Sequence, residues 1–159
     1  MSSTANFKDL SDPAKYYYTN PKRLGLLGHI SFGVSSSTTS QKFYTAVLAP
    51  FGISLVFSNA TNTTIGYGYD VDSEFFTIFE RGEAARAPGA GTHLAFNAPG
   101  RRAVREFWVA GVANGGTSDG EPGLRERYGK DYYAAFLLDP DGFRVEAVFQ
   151  EPVVEGVEE

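Results

Sequence analysis

The sequence predicts an α+β fold built from two copies of one unit, strand, helix, then three strands, and three observations carry that expectation. The first is an ungapped internal repeat. Residues 28 to 53 lie over 92 to 117 at an offset of 64, pairing His29 with His93, Phe32 with Phe96, Phe43 with Phe107, Ala46 with Ala110, Ala49 with Ala113 and Gly52 with Gly116. Ordinary residue frequencies would give roughly one or two identities in such a window, so the match argues for duplication. The second observation is that apolar residues recur with period two and then with helical spacing in the same order in both copies. The third is size: 159 residues, 42% apolar and 21% charged, suit one globular domain that can bury a core without disulfides or a structural metal.

Along the chain, residues 1–24 are polar, contain two prolines and show no sustained period, so they read as an N-terminal arm. Two readings stay open for it: docking through Tyr16, Tyr17 and Tyr18, or a partly ordered tail. Residues 25–152 form the domain, with units at about 26–80 and 91–150, and 153–159 form an acidic tail. Residues 26–34 alternate as a strand, with Ile30, Phe32 and Val34 on one face and His29, Ser31 and Gly33 on the other. The serine-rich stretch 35–40 leads into a helix whose hydroxyls can cap its first amides, ending by Pro50 and Gly52. Strands are expected at 53–58, 64–70 and 74–80, separated by polar and turn-prone residues. In the second copy, 91–98 is a strand and 99–116 a helix that ends at Gly115 and Gly116. The Gly- and charge-rich stretch 117–130 reads as a long loop with room for a short strand. Residues 131–139 and 143–149 then form a hairpin across the turn Asp139-Pro140-Asp141-Gly142.

Composition narrows the function. A net charge of −5 without basic clusters gives no reason to expect nucleic acid or an anionic membrane as partner. The absence of cysteine removes disulfides, thiolate ligands and thiol nucleophiles. No apolar run is long enough to span a bilayer and the N-terminus lacks a secretory core, so the cytoplasm is the expected compartment. A small-molecule substrate or ligand is the partner class that remains.

The chemistry concentrates on the face opposite the large apolar residues. His29 has Ser31 and Gly33 as small neighbours there, and His93 has Ala95 and Asn97. If the helices cover the other faces, both imidazoles point to an uncovered side. In the last strand, Glu146 lies between Val145 and Ala147, whose alternation sends the carboxylate to that same side. A carboxylate in an apolar strand is costly unless hydrogen-bonded or bound to a cation. The first copy places Thr77 where the second has Glu146. His29, His93 and Glu146 thus form a two-His, one-carboxylate set with open positions, suited to Fe(II), Zn, Ni, Mn or Co. Tyr67, Tyr69, Phe75, Thr77 and Phe79 are expected to line a substrate pocket, one of Tyr132 and Tyr133 points inward, and Arg125 and Tyr128 lie on the loop that would cover it, Arg125 as an anion clamp.

These residues resemble the vicinal oxygen chelate proteins, which include glyoxalase I, bleomycin-resistance proteins, fosfomycin-resistance transferases and extradiol dioxygenases. The resemblance covers about residues 26–150 and rests on GHISFGV, GTHLAF and the ending LLDPDGFRVEAV, whose Asp-Pro-Asp-Gly followed by Glu146 is its most specific part. It implies two tandem βαβββ units forming a curved mixed sheet around a central cavity with helices on the outer face. It also implies a homodimer and a divalent metal held by His29, His93 and Glu146. The glutamate that glyoxalase I uses in its first unit is replaced by Thr77, and no further histidine is left for an extradiol mechanism. Acid–base work then falls to Tyr133 or to Glu146. The expected function is metal-dependent lyase, isomerase or dioxygenase chemistry on vicinal oxygens. The alternative is a metal-independent module that sequesters small molecules, as bleomycin-resistance proteins do.

Overall fold

The computed structural model describes residues 27–150. The expected arm and acidic tail lie outside the described residues. Eight strands and two helices follow in the order β1 (Ile30–Val34), α1 (Ser37–Leu48), β2 (Ser54–Ser58), β3 (Thr64–Gly68), β4 (Glu74–Glu80), β5 (Leu94–Asn97), α2 (Arg101–Ala113), β6 (Thr117–Leu124), β7 (Tyr133–Leu138) and β8 (Arg144–Phe149). This is βαβββ twice, as the repeat requires. The helices start at Ser37 and Arg101, the same 64 residues apart as the histidines.

The strands make two four-stranded mixed sheets, ordered β1-β4-β3-β2 and β5-β8-β7-β6, with β1 parallel to β4 and β5 parallel to β8. The register shows how the two copies correspond at their last strands. Ser31 pairs with Thr77 and Ala95 with Glu146, so Thr77 and Glu146 are equivalent positions although the offset between copies has grown beyond 64. Loop length changed the spacing; strand pairing restored the equivalence.

Two compact units result, residues 27–38 with Ile53–Ala85 and residues Thr39–Gly52 with 86–150. In the first unit, Val34, Ile65, Tyr67, Phe76 and Ile78 are buried on one face of the sheet. Phe76 meets Phe32 edge to face, with centroids 5.2 Å apart, and lies tilted against Tyr67 at 6.0 Å. The helix start is tied to the end of this sheet. Glu80 Oε2 accepts both the Ser37 amide at 2.9 Å and the Ser37 hydroxyl at 2.7 Å, so a carboxylate from β4 meets the positive end of the helix. These bonds hold the Glu80 carboxyl below its usual 4.5.

In the second unit α2 packs on the face of β7 and β8 that carries Leu137 and Val145. Gly111 permits the approach, because a Cβ there would collide with Leu137 and press on Val47 and Phe43. Thus α1 from Thr39 onward is packed with the second copy: Phe43, Tyr44, Val47 and Leu48 are fully buried, and Phe51 stacks on Phe107 at 5.8 Å. Asp139 fastens this helix to the β7–β8 turn. Its Oδ1 accepts the amides of Asp141 and Phe143, its Oδ2 accepts the Tyr44 hydroxyl at 2.7 Å, and Gly142 takes the left-handed φ of 87° that closes the turn. The stretch expected as a loop with room for a short strand is instead the eight-residue β6. It lacks an apolar stripe because it is an edge strand with largely exposed residues, broken in register at Gly120 and Gly123. Among the described residues no helix is long and apolar enough to cross a membrane.

Candidate functional site

In the second unit the face turned away from α2 carries a connected set of polar side chains. Alternation from Phe136 puts Tyr132 and Ala134 on this face, and cross-strand pairing adds Glu146 opposite Phe136 and Val148 opposite Ala134. Glu146 is only 1% exposed, among Ala134, Phe136 and Val148. An isolated carboxylate in such a place would lose several kcal/mol of hydration, on the order of what drives such groups to pair. Here both oxygens are engaged. Tyr132 donates its hydroxyl to Oε1 at 2.6 Å, and His93 Nε2 lies 3.1 Å from Oε2. His93 reaches it because it stands two residues before Ala95, the register partner of Glu146. Burial and the neighbouring Glu146 together push the Tyr132 hydroxyl up to about 12, so it keeps its proton at neutral pH and acts as a fixed donor.

A ring of side chains extends this pair. Tyr128 packs against Tyr132 with ring centroids 5.2 Å apart, and Arg127 lies over Tyr128 at 4.6 Å. Phe136 is the hub on the other side, with His93 at 6.3 Å, Arg125 at 5.7 Å and Arg144 at 4.4 Å from its centroid. Arg144 is neutralised by Asp119. Arg125 donates to the backbone carbonyls of Glu121 and Leu124.

Of the three expected metal ligands, the structure brings His93 and Glu146 together. His29 stands exposed in the first unit, immediately before β1, and among the described residues no three His, Asp or Glu side chains form one group. The donor pair itself suits a cation. Adjacent ligands of an ion with bonds of about 2.1 Å lie roughly 3 Å apart, and the imidazole nitrogen and carboxylate oxygen here are 3.1 Å apart.

Other expected site residues separate. Tyr133, the expected acid–base residue, is on the opposite face from Glu146, beneath the Arg101 guanidinium at 5.1 Å; the tyrosine that reaches Glu146 is Tyr132. Strand alternation decides this once the first paired residue is known. Tyr67 is fully buried on the core side of the first sheet, paired with Phe76, and so faces away from Thr77. Phe79 is on the Thr77 side, with Arg81 stacked on it at 5.0 Å, while Tyr69 is exposed and packs against Phe75 at 5.9 Å.

One residue, Glu74, escaped the sequence reading. Phe75 is an extra residue in β4, since Gly68 pairs with Glu74 and Tyr67 with Phe76. This bulge carries Glu74 to the Thr77 side, where Thr77 donates its hydroxyl to Oε1 and the side chain lies over Gly66, leaving no room for a Cβ there. The first copy therefore also holds a carboxylate beside its Thr77 position. A period-two reading of EFFTIFE could not find it, because a bulge is visible only in the pairing.

No protein-family model and no curated protein matches the chain, but solved structures do. A glyoxalase/bleomycin resistance protein from Albidiferax ferrireducens T118 is 34% identical, with a TM-score of 0.61 over 76% of this chain and 94% of that one. The chain belongs to the glyoxalase/bleomycin resistance protein family. Its tandem βαβββ units place it in the vicinal oxygen chelate superfamily. Two further structures share the fold at 21% identity. A glyoxalase-related enzyme from Fulvimarina pelagi has a TM-score of 0.59 over 79% of this chain and 88% of its own. Glyoxalase I from Zea mays has a TM-score of 0.61 over 77% of this chain but only 45% of its own.

Proposed function

We propose that this member of the family is a metal-dependent glyoxalase-like enzyme acting on a small organic substrate with vicinal oxygens, by lyase, isomerase or dioxygenase chemistry. His93 and Glu146 would hold a divalent cation together with His29, supplied by the same chain or by the second copy in a homodimer. Such a cation, when bound, supplies Lewis acidity toward the substrate's oxygens.

The observation that carries this reading is the buried Glu146, held at one oxygen by Tyr132 and set beside His93 at the other. Tyr132 fixes the carboxylate's orientation and, with its hydroxyl held protonated, does not serve as base. Proton exchange with the substrate then falls to Glu146, the expected acid–base carboxylate on this face, rather than to Tyr132. Phe136, Ala134 and Val148 keep bulk water from it.

The test is metal analysis and titration calorimetry on protein purified without a His tag and reconstituted in turn with Fe, Zn, Ni, Mn and Co. One ion per site, with affinity falling at least tenfold in His93→Ala and in Glu146→Gln, is the expected result; that loss matches a single removed ligand at about 1.4 kcal/mol or more. A protein that takes up no stoichiometric metal, and whose melting temperature rises with planar aromatic ligands regardless of EDTA, would instead be a sequestering module.

A further inference from the structure

The guanidinium of Arg125 is held in a prepared seat. Its Nη2 donates to the Glu121 carbonyl at 2.6 Å and its Nη1 to the Leu124 carbonyl at 3.4 Å. Beneath it lie two glycines of β6: a Cβ at Gly123 would come within 3.1 Å of Nη1, and one at Gly120 within 3.1 Å of the Phe136 ring and 3.3 Å of Nη2. The Arg125 amide pairs with the Tyr132 carbonyl, so the residue is tied by backbone to the tyrosine that orients Glu146. The side chain then reaches over Phe136, the register partner of Glu146.

Arg144, the other cation on Phe136, has its charge matched by Asp119. The Arg125 guanidinium has only backbone carbonyls as hydrogen-bond partners among the described residues. Carbonyl oxygens orient a guanidinium without neutralising it, and half-burial, by lowering the effective dielectric, strengthens its attraction for an anion. A planar, oriented fork with an unmatched charge binds a carboxylate through two parallel hydrogen bonds.

We propose that Arg125 is a substrate-binding residue and that the substrate is a small organic carboxylate, its carboxylate seated on this guanidinium and its reacting carbon directed along Phe136 toward Glu146. The inference deepens the function proposed above and rests on Glu146 marking the reacting end.

Benzoate, its neutral isostere benzamide and inorganic phosphate are the probes, titrated into EDTA-treated protein and followed by NMR shifts of the Phe136 and His93 rings. Benzoate should bind in preference to the other two, and Arg125→Gln should weaken it at least tenfold, the loss of one charge-assisted pair. Arg125→Lys keeps the charge without the fork and should fall between. Gly123→Ala, which presses on Nη1, should weaken benzoate in the same direction and decides the matter if Arg125→Gln does not fold. Equal benzoate binding by wild type and these variants overturns the proposal, as does phosphate binding as tightly as benzoate. Metal uptake measured on Arg125→Gln separates the two readings. Retained metal with lost benzoate binding supports both, whereas a wild type that takes no metal but binds benzoate through Arg125 removes only the metal-dependent reaction.

Discussion

Replacing Tyr132 by Phe deletes one hydroxyl from a carboxylate that is 1% exposed and keeps the ring that packs on Tyr128. The bond lost is 2.6 Å long and ends on Glu146. A hydrogen bond to a charged group contributes about 1.5–3 kcal/mol, because a buried oxygen left without its donor keeps its desolvation cost. The hydroxyl's own titration adds a linked, pH-dependent contribution: burial first, and then Glu146, raise it from 10.0 to about 12. The folded protein holds this proton more tightly than the unfolded chain, so the contribution is complete below pH 10 and is lost as pH rises through about 12. Urea unfolding of Tyr132→Phe at neutral pH should show a lower midpoint with unchanged slope, equivalent to about 1.5–3 kcal/mol. Ultraviolet titration of Glu146→Gln should bring one tyrosine down from about 12 toward 10.0, part of the rise remaining because burial is its largest cause. A midpoint unchanged in Tyr132→Phe, together with a tyrosine still titrating at about 12 in Glu146→Gln, would refute the reasoning.

Tyr44→Phe should cost about 1.5–3 kcal/mol at neutral pH by thermal or urea unfolding, since Tyr44 is a hydroxyl donor to buried Asp139. Burial raises the Asp139 carboxyl above 3.8 and the Tyr44 bond opposes that rise, so the gap between wild type and variant should widen as pH climbs from 3.8 and the carboxyl ionises. Glu80 behaves in the opposite sense: its carboxyl is held below 4.5 by Ser37, so its contribution is present above 4.5 and lost on acidification. Glu80→Gln should therefore flatten the acid limb of the stability profile. Thr77→Glu should lower stability by about 1–3 kcal/mol without metal, because it sets a second carboxylate beside Glu74 in a buried position. Its melting temperature should rise more than that of wild type on adding a divalent cation, which calorimetry checks.

Much of this architecture was legible because it follows from local periodicity and from comparing the chain with itself. The repeat located both helices, and the Asp139–Gly142 turn declared itself through residues whose side chains make their own turn bonds. Alternation sent Glu146 away from Val145 and Ala147, and the packing of α2 on that other face agrees. Less was legible where strand pairing, not local pattern, sets the outcome. The edge strand β6 has no apolar stripe to announce it, and the Phe75 bulge reverses the face of Glu74. The choice of Tyr132 over Tyr133 needed the register of β7 against β8, since a slip of one residue exchanges every side chain between faces.

By itself the sequence determined the duplicated βαβββ plan, the equivalence of the two histidines within the repeat and the face on which Glu146 lies, because these depend on which residues recur and at what period. The tertiary structure alone decided what those residues touch. It joined His93 and Tyr132 to Glu146, brought Arg125 over Phe136 on a glycine platform, and gathered most of α1 with the second copy. Those outcomes depend on register, bulges and the close approach of distant backbone, which arise from the pairing of segments far apart in the chain.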